Sequence, residues 1–357
     1  MVTGVSGRLG QRVAARLVAR PDVERVVGID VVAPRWSDPK LDVSLLDLAL
    51  PSHPAGDDVR RALGGASAVI HLAWRTPDAR GDTATEEEAA ATANRRALAA
   101  VLGAASADPP ASFVHLSSAT VYGAWPDNKV PLTEDTPLRP NPEFAFAVGK
   151  AEAERAVADW AECNPAVAVA VLRPAVTVGV PERALYRALD ATRAPRSGDG
   201  ARPVQYLHVD DLAAAVVLAW ERRLSGVYNV APDAGVSEDE ARLLAGGVAK
   251  VTLPARVAHA VSGWSWHLWR GGVPPQARAY ATHPWAIAPD RLKAEGWSPQ
   301  YSSEEALVAT DVRQHWDDLP PGRRQNYNLL LAAGGLLAVG GAAAAAVVAW
   351  RSRRSPR

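Results

Sequence analysis

The sequence predicts an α/β protein built on a doubly wound parallel sheet, and three observations predict it. Glycines at 4, 7 and 10 stand between a short apolar run and an amphipathic stretch. Asp30 ends the next apolar run, twenty residues after Gly10. From there apolar runs alternate with helical patterns through the first half of the chain, as stacked βα units do.

Taken in order, Met1–Thr3 leads into the glycine turn and Gln11–Arg20 forms the first helix. A strand normally runs about 5–6 residues; with only three before Gly4, the natural start is expected a few codons upstream. A second strand ends at Asp30, and a short third strand is expected to end at Asp42. Residues 66–74 (ASAVIHLAW) are almost continuously apolar, as a strand buried on both faces requires. A helix over 94–105 and a strand over 112–118 follow, then a long Ala/Glu-rich helix over 143–162 and a buried strand over 166–176. In the second half, 204–209 reads as a strand, with Asp210 or Asp211 expected to cap a helix reaching about Arg222. Residues 226–231 read as one more strand. An aromatic group (Trp264, Trp266, Trp269 and Trp285) surrounds Gly271-Gly272 and Pro274-Pro275, and suits the core of a small domain or the wall of a substrate route.

Composition bounds the function. The 357 residues are 48% hydrophobic and 22% charged, which is globular rather than disordered. Lys+Arg and Asp+Glu both total 39, so no charge excess argues for a nucleic-acid partner. The single cysteine, Cys163, excludes an internal disulfide and fits a reducing compartment. Five lysines stand against 34 arginines, so a lysine at a chemically meaningful position carries weight.

Leu329–Trp350 contains 22 residues without a charge, thirteen of them Ala or Gly, between Arg323-Arg324 and Arg351, Arg353, Arg354 and Arg357. At about 1.5 Å per residue it is long enough for a ~30 Å hydrocarbon core. A C-terminal transmembrane helix is therefore expected, with an Ala/Gly-rich packed or disordered tail as the alternative. The arginines after it favour a cytoplasmic C-terminus. A cofactor-using domain without an export signal argues the reverse, and it decides the expectation: a single-pass membrane protein with its large domain in the cytoplasm. The domain plan is then 1–180 for dinucleotide binding, joined by the strand and helix of 203–225, and 181–315 mostly as a smaller substrate domain. A linker over 316–328, the helix 329–350 and a basic tail 351–357 complete it.

Gly4, Gly7 and Gly10 in GxxGxxG spacing give a tight turn, a close backbone approach to a pyrophosphate, and close helix–strand packing. The helix N-terminus, at Arg8 and Leu9, faces the phosphates. Asp30 accepts from adenosine ribose hydroxyls and repels a 2′-phosphate, which favours NAD; Arg35 keeps NADP open.

With that turn, HLAW at 71–74, SSATVYG at 117–123, Lys150, LRPAVTVG at 172–179, LHVDDLA at 207–213 and DRLKAEGWSP at 290–299, the chain resembles the NAD-dependent epimerase/dehydratase family over residues 2 to about 312. These are extended short-chain dehydrogenases of Rossmann type. The resemblance implies that Asp42 and Val43 flank the adenine, that Leu72 and Ala73 line the cofactor, and that Pro174 does the same. It implies that Asn94 supports the neighbouring strand and that His71, Arg173 and Asp210 are structural. A small-molecule substrate is implied, and a homodimer is left open; no metal is expected.

The family's chemistry uses a Tyr four residues before a Lys, which places both on one helix face, and a Ser that orients the substrate oxygen. Ser118 matches the Ser, with Thr120 beside it, and Lys150 matches the Lys, which also holds the nicotinamide ribose. Phe146 replaces the Tyr, although the chain has only 3 Phe. General acid–base catalysis typically contributes ~10²–10⁴-fold, so the loss matters. Tyr122 is one replacement; a substrate group, water or an acid such as Glu143 is another. The expectation divides accordingly. One branch is a membrane-attached oxidoreductase or epimerase acting on a hydroxyl/keto carbon of a nucleotide sugar or lipid-like substrate. The other is a non-catalytic NAD-binding scaffold or redox-responsive module at the membrane.

Overall fold

Nine strands and eight α-helices are seen in the described part of this computed structural model, which comprises residues 1–50, 53–76, 84–179, 203–237, 240–241, 244 and 275–309. The predicted span 329–350 and Trp264, Trp266 and Trp269 lie outside the described residues. Among the described residues, no helix is long and apolar enough to cross a membrane.

The elements run β1 (Val2–Thr3), α1 (Arg8–Val18), β2 (Val26–Asp30), β3 (Leu41–Leu45), α2 (His53–Leu63), β4 (Ala68–His71), α3 (Ala84–Ala107), β5 (Ser112–Leu116), α4 (Ala145–Cys163) and β6 (Ala168–Pro174). They continue with β7 (Val176–Val178), β8 (Tyr206–His208), α5 (Val209–Glu221), β9 (Gly226–Val230), α6 (Arg278–Thr282), α7 (Asp290–Ala294) and α8 (Ser303–Ala309). Seven strands pair in parallel in the order β3-β2-β1-β4-β5-β6-β9. The order reverses between β1 and β4, and in such sheets ligands bind at that switch point, outside the carboxyl ends of the strands. β7 and β8 form a separate parallel pair.

The sheet is apolar on both faces because its strand residues alternate between two cores. Val2, Ile70, Val114, Ala170 and Leu172 bury against α1 and α5. Ile29, Val69, Phe113, Val169 and Val171 bury against α2, α3 and the later turns of α4. Continuous apolar runs are what such two-sided burial demands, which is why these strands are visible in the sequence.

Several boundaries differ from the expectation. α3 starts ten residues before Asn94, since Glu86 and Glu87 favour a helix N-terminus. The α5 N-cap is His208, whose Nδ1 accepts the Asp210 N–H at 3.3 Å, so Asp210 and Asp211 occupy the first turn instead. Asp210 pairs with Arg12 on α1 at 2.8 Å. The strand at 226–230, which the plan assigned to the substrate domain, extends the main sheet beside β6.

Candidate active site

The first turn is built around glycine for steric reasons that can be stated atom by atom. Gly4 has φ +70°, and a Cβ there would lie 2.9 Å from the Ala73 backbone. A Cβ on Gly10 would lie 2.0 Å from the Gly4 carbonyl oxygen, so α1 rests directly on the turn. Gly7 N-caps α1 without a side-chain hydrogen bond, and no acid occupies the first turn. The helix end is thus left to an external anion, the condition under which helix N-termini bind phosphate.

Asp30 closes β2 beside this turn. Its Oδ2 accepts the Ser6 N–H at 2.9 Å and its Oδ1 the Val31 N–H at 2.7 Å. Gly4, Gly7, Leu9, Gly10 and Asp30 line one cavity of about 720 Å³, together with Leu72, Ala73, Ser118, Phe146, Lys150 and Pro174. Arg8 is exposed and does not line it. Arg35 is exposed on the loop after β2.

Asp42 and Val43 require correction. They lie inside β3, opposite Val27 and Gly28, and do not line the cavity; the Asp42 carboxylate is 64% exposed and 3.8 Å from Arg25. The acid–apolar pair at the wall is Asp47-Leu48, just beyond the strand's end. The signal was present, because LDVSLLDLA contains two such pairs and a five-residue strand from Leu41 reaches only the first.

The loop after β4 is pinned on both sides of Trp74. Ala73 N–H donates to Thr3 Oγ1 at 3.2 Å. Asn94 accepts the Arg75 N–H at 2.7 Å and donates to the Arg75 carbonyl at 2.8 Å, so it holds the loop beyond β4 rather than the strand it was expected to support.

At the reacting end, Ser118 follows β5 and caps a 3-10 turn over Ala119–Tyr122. Its Oγ accepts the Thr120 N–H at 3.2 Å and lies 2.9 Å from Thr120 Oγ1. Lys150, 4% exposed, donates to the Leu116 carbonyl at 2.7 Å. Its ammonium sits 3.8 Å from the Trp74 ring centre and 5.9 Å from that of Phe146. Phe146 meets Trp74 edge-on, with ring centres 6.1 Å apart. Helix α4 therefore turns Phe146 and Lys150 toward the cavity, as one-face spacing requires. Trp285, which the sequence offered as small-domain core or as the wall of a substrate route, lines the cavity, and so does Trp74, for which no role of its own was expected.

Tyr122 does not replace the missing hydroxyl. It is 1% exposed and outside the cavity wall. Its hydroxyl donates to Asn229 Oδ1 at 2.8 Å and accepts from Arg173 at 2.7 Å. Burial raises its pKa, against the opposing pull of the Arg173 guanidinium. Glu143 is exposed and also outside the wall. Among the described wall residues the carboxylates are Asp30 and Asp47, both at the adenine end.

Behind Ser118 lies a buried ion pair. Arg173 on β6 meets Glu154 on α4 at 2.6 Å, and Glu154 accepts from the Ser117 hydroxyl. Arg173 thus holds Ser117 through Glu154, and Tyr122 directly, on either side of Ser118. His71 and His115 stack on adjacent strands at 5.7 Å. Burial, then the nearby Lys150 charge, lowers the His71 pKa to about 3 and pushes that of His115 well below its ordinary value. Both imidazoles are neutral at pH 7, so they add no positive charge beside Lys150.

Comparison with known proteins agrees with this geometry. Residues 1–231 match the family described as the NAD dependent epimerase/dehydratase family. A dTDP-glucose 4,6-dehydratase of Streptomyces griseus is 28% identical over 260 residues, 67% of this chain and 75% of that protein. An uncharacterized protein of Sinorhizobium fredii is 28% identical over 241 residues, 64% of this chain; the match spans 55% of that relative's length. Among solved structures, a double mutant of dTDP-glucose 4,6-dehydratase from Streptomyces venezuelae with NAD superposes with a TM-score of 0.64 at 21% identity, covering 89% of this chain and 96% of that one. UDP-glucose 4-epimerase of Thermus thermophilus in complex with NAD gives 0.63 at 21%, covering 88% and 98%. A Tyr-to-Phe variant of UDP-glucuronic acid 4-epimerase from Bacillus cereus, with NAD and a fluorinated substrate analogue, gives 0.63 at 20%, covering 87% and 96%.

Proposed function

We propose, for a chain that belongs to the NAD dependent epimerase/dehydratase family, that it binds NAD in this cavity and acts on a hydroxyl/keto carbon of a nucleotide sugar or lipid-like substrate with an altered acid/base. The observation that carries this reading is that the glycine turn, Asp30, Ser118 and Lys150 all line one cavity at the sheet's switch point. The helix α1 N-terminus would hold the pyrophosphate and Asp30 the adenosine ribose. NAD, when bound, supplies the hydride acceptor. Ser118, backed by Thr120, would orient the substrate oxygen, and the proton that a tyrosine would take is left to water, directly or relayed through that hydroxyl pair. Water elimination is less well served than simple oxidation or epimerisation. It calls for an acid and a base near the substrate, and the described wall offers no carboxylate there.

A second reading has its own observation. Phe146 faces the cavity where a proton donor belongs, and Lys150 is covered by Trp74; both suit an NAD-binding scaffold or redox-responsive module without turnover. The two readings part on one experiment. The full chain is titrated with NAD and NADP, then assayed with alcohols and nucleotide sugars before and after Ser118→Ala. Turnover lost in Ser118→Ala supports the enzyme, and NAD binding without turnover supports the module. No binding of either cofactor removes both.

Membrane attachment through 329–350 belongs to the same proposal, supported by the uncharged 22-residue run between arginines, with the large domain cytoplasmic. The full chain should sediment with membranes through a carbonate wash, whereas a chain ending near Pro321 should not. Recovery of the full chain in the soluble fraction would remove the anchor and the lipid-like substrate with it.

A further inference from the structure

We propose that the Trp74 side chain gates the reacting end of the cavity: its indole covers the Lys150 ammonium and must leave it before the nicotinamide riboside can be held there. The inference rests on reading the cavity as an NAD site. Three contacts seat the indole. Lys150 Nζ lies 3.8 Å from the ring centre, a cation–π contact at a buried ammonium. Phe146 packs edge-on against the indole, offering a ring without a hydroxyl to compete for the ammonium. Gly149 leaves the space for the benzo edge, since a Cβ there would already be 3.4 Å from Trp74 Cζ2.

This seat conflicts with ligand binding. An ammonium donates to oxygens at roughly 2.7–3.1 Å. One donor already goes to the Leu116 carbonyl, and with the indole in van der Waals contact no oxygen fits on that side of the nitrogen. Among the described wall residues of this end Lys150 is the strongest donor, so ribose hydroxyls reaching it are its natural partners. The backbone cannot yield instead, because Thr3 and Asn94 clamp Ala73 and Arg75 on either side. Movement is left to the half-buried side chain. The adenine end is untouched by this contact, so a nucleotide lacking the nicotinamide riboside should ignore the gate.

Calorimetric titration of the full chain with NAD and with ADP tests the gate. Trp74→Ala should tighten NAD by roughly threefold to thirtyfold, the range of a cation–π contact, and leave ADP within about twofold. Trp74→Leu, which refills the apolar volume without a π face, should act in the same direction and serves if the alanine variant folds poorly. In a Lys150→Met background the same substitutions should no longer tighten NAD, since the contact they release is gone. Weaker NAD binding in both Trp74 variants, with ADP unchanged, would make the indole a platform for the ligand and overturn the gate. Parallel changes in NAD and ADP, or no change in either, overturn it equally. If the unaltered chain binds neither nucleotide, the cofactor reading itself fails, and the gate with it.

Discussion

The two ends of the cavity are made of different material. At the adenine end the groups that meet a ligand are mostly backbone: the turn at Gly4, the uncapped start of α1, and the amides that fix Asp30. At the reacting end they are side chains: Ser118, Phe146, Lys150, Trp74 and Trp285. A backbone site is held in place by packing and changes only if the turn itself changes. A side-chain site loses its proton donor by one substitution while every helix and strand stays where it was. The glycine turn is present at the first and a phenylalanine stands at position 146 in the second, so binding and chemistry have to be tested separately.

The largest effect is expected from breaking the backbone end. Gly10→Ala places a methyl carbon 2.0 Å from the Gly4 carbonyl oxygen, and no side-chain rotation relieves it. Overpacking costs about 1–3 kcal/mol where neighbours can shift; here the turn must open, so NAD affinity should fall more than about a hundredfold. Calorimetry reads the binding and a urea melt reads the stability. Unchanged affinity in a folded variant would mean that NAD does not use this turn.

The complementary change sharpens the comparison at the other end. Phe146→Tyr should leave ADP affinity within about twofold, because Phe146 lies away from the phosphate turn. It should raise turnover on a suitable alcohol or nucleotide sugar by ~10²-fold, the low end of what general acid–base catalysis supplies. A variant that binds NAD and gains nothing would show that more than one hydroxyl is missing, as the module reading holds.

How much was legible follows the same division. Strands β4 to β6 were visible because two-sided burial makes them mostly apolar, with His71, Ser112, His115 and Arg173 as their buried polar members, and the glycine turn because only glycine fits such contacts. Ser118, Phe146 and Lys150 were placed through the family resemblance, and helix spacing of 3.6 residues per turn puts the last two on one face. Asp47 was missed because strand ends, unlike helical phases, carry no periodic signal. Tyr122 was kept open because its partners, Arg173 and Asn229, are 51 and 107 residues away. The Trp74 contact on Lys150 joins a strand-end loop to a helix 76 positions later, and no local pattern announces it.

A moderate effect is expected from acid, and it acts beneath the reacting end. His71 is buried neutral, its folded pKa lowered to about 3 from 6.5. Because the unfolded chain takes up a proton there first, the stability this provides is present above about pH 6.5 and is lost as pH falls toward 3. Between pH 7 and pH 5 the His71 contribution alone falls by roughly 2 kcal/mol, and His115 adds a loss of the same sign. Urea melts at the two pH values check this, and His71→Asn should flatten the dependence. A wild-type stability equal at pH 5 and pH 7 would show that the pair is not buried neutral.

The smallest effect concerns Asp30, and it asks whether the adenine end selects its ligand or only holds it. Both carboxylate oxygens already accept backbone amides, Ser6 at 2.9 Å and Val31 at 2.7 Å, so the group is fixed beside the place an adenosine ribose would take. A fixed carboxylate accepts from ribose hydroxyls and repels a phosphate on the same ribose. Asp30→Asn keeps the size and one amide bond but removes the charge. NAD should then weaken and NADP strengthen, shifting the ratio of their dissociation constants by about tenfold, or about 1.4 kcal/mol. The shift should shrink at high salt, because part of it is repulsion between charges open to solvent. A ratio that does not move would leave discrimination to the exposed loop that carries Arg35, and a charge-reversing Arg35→Glu would then have to move it.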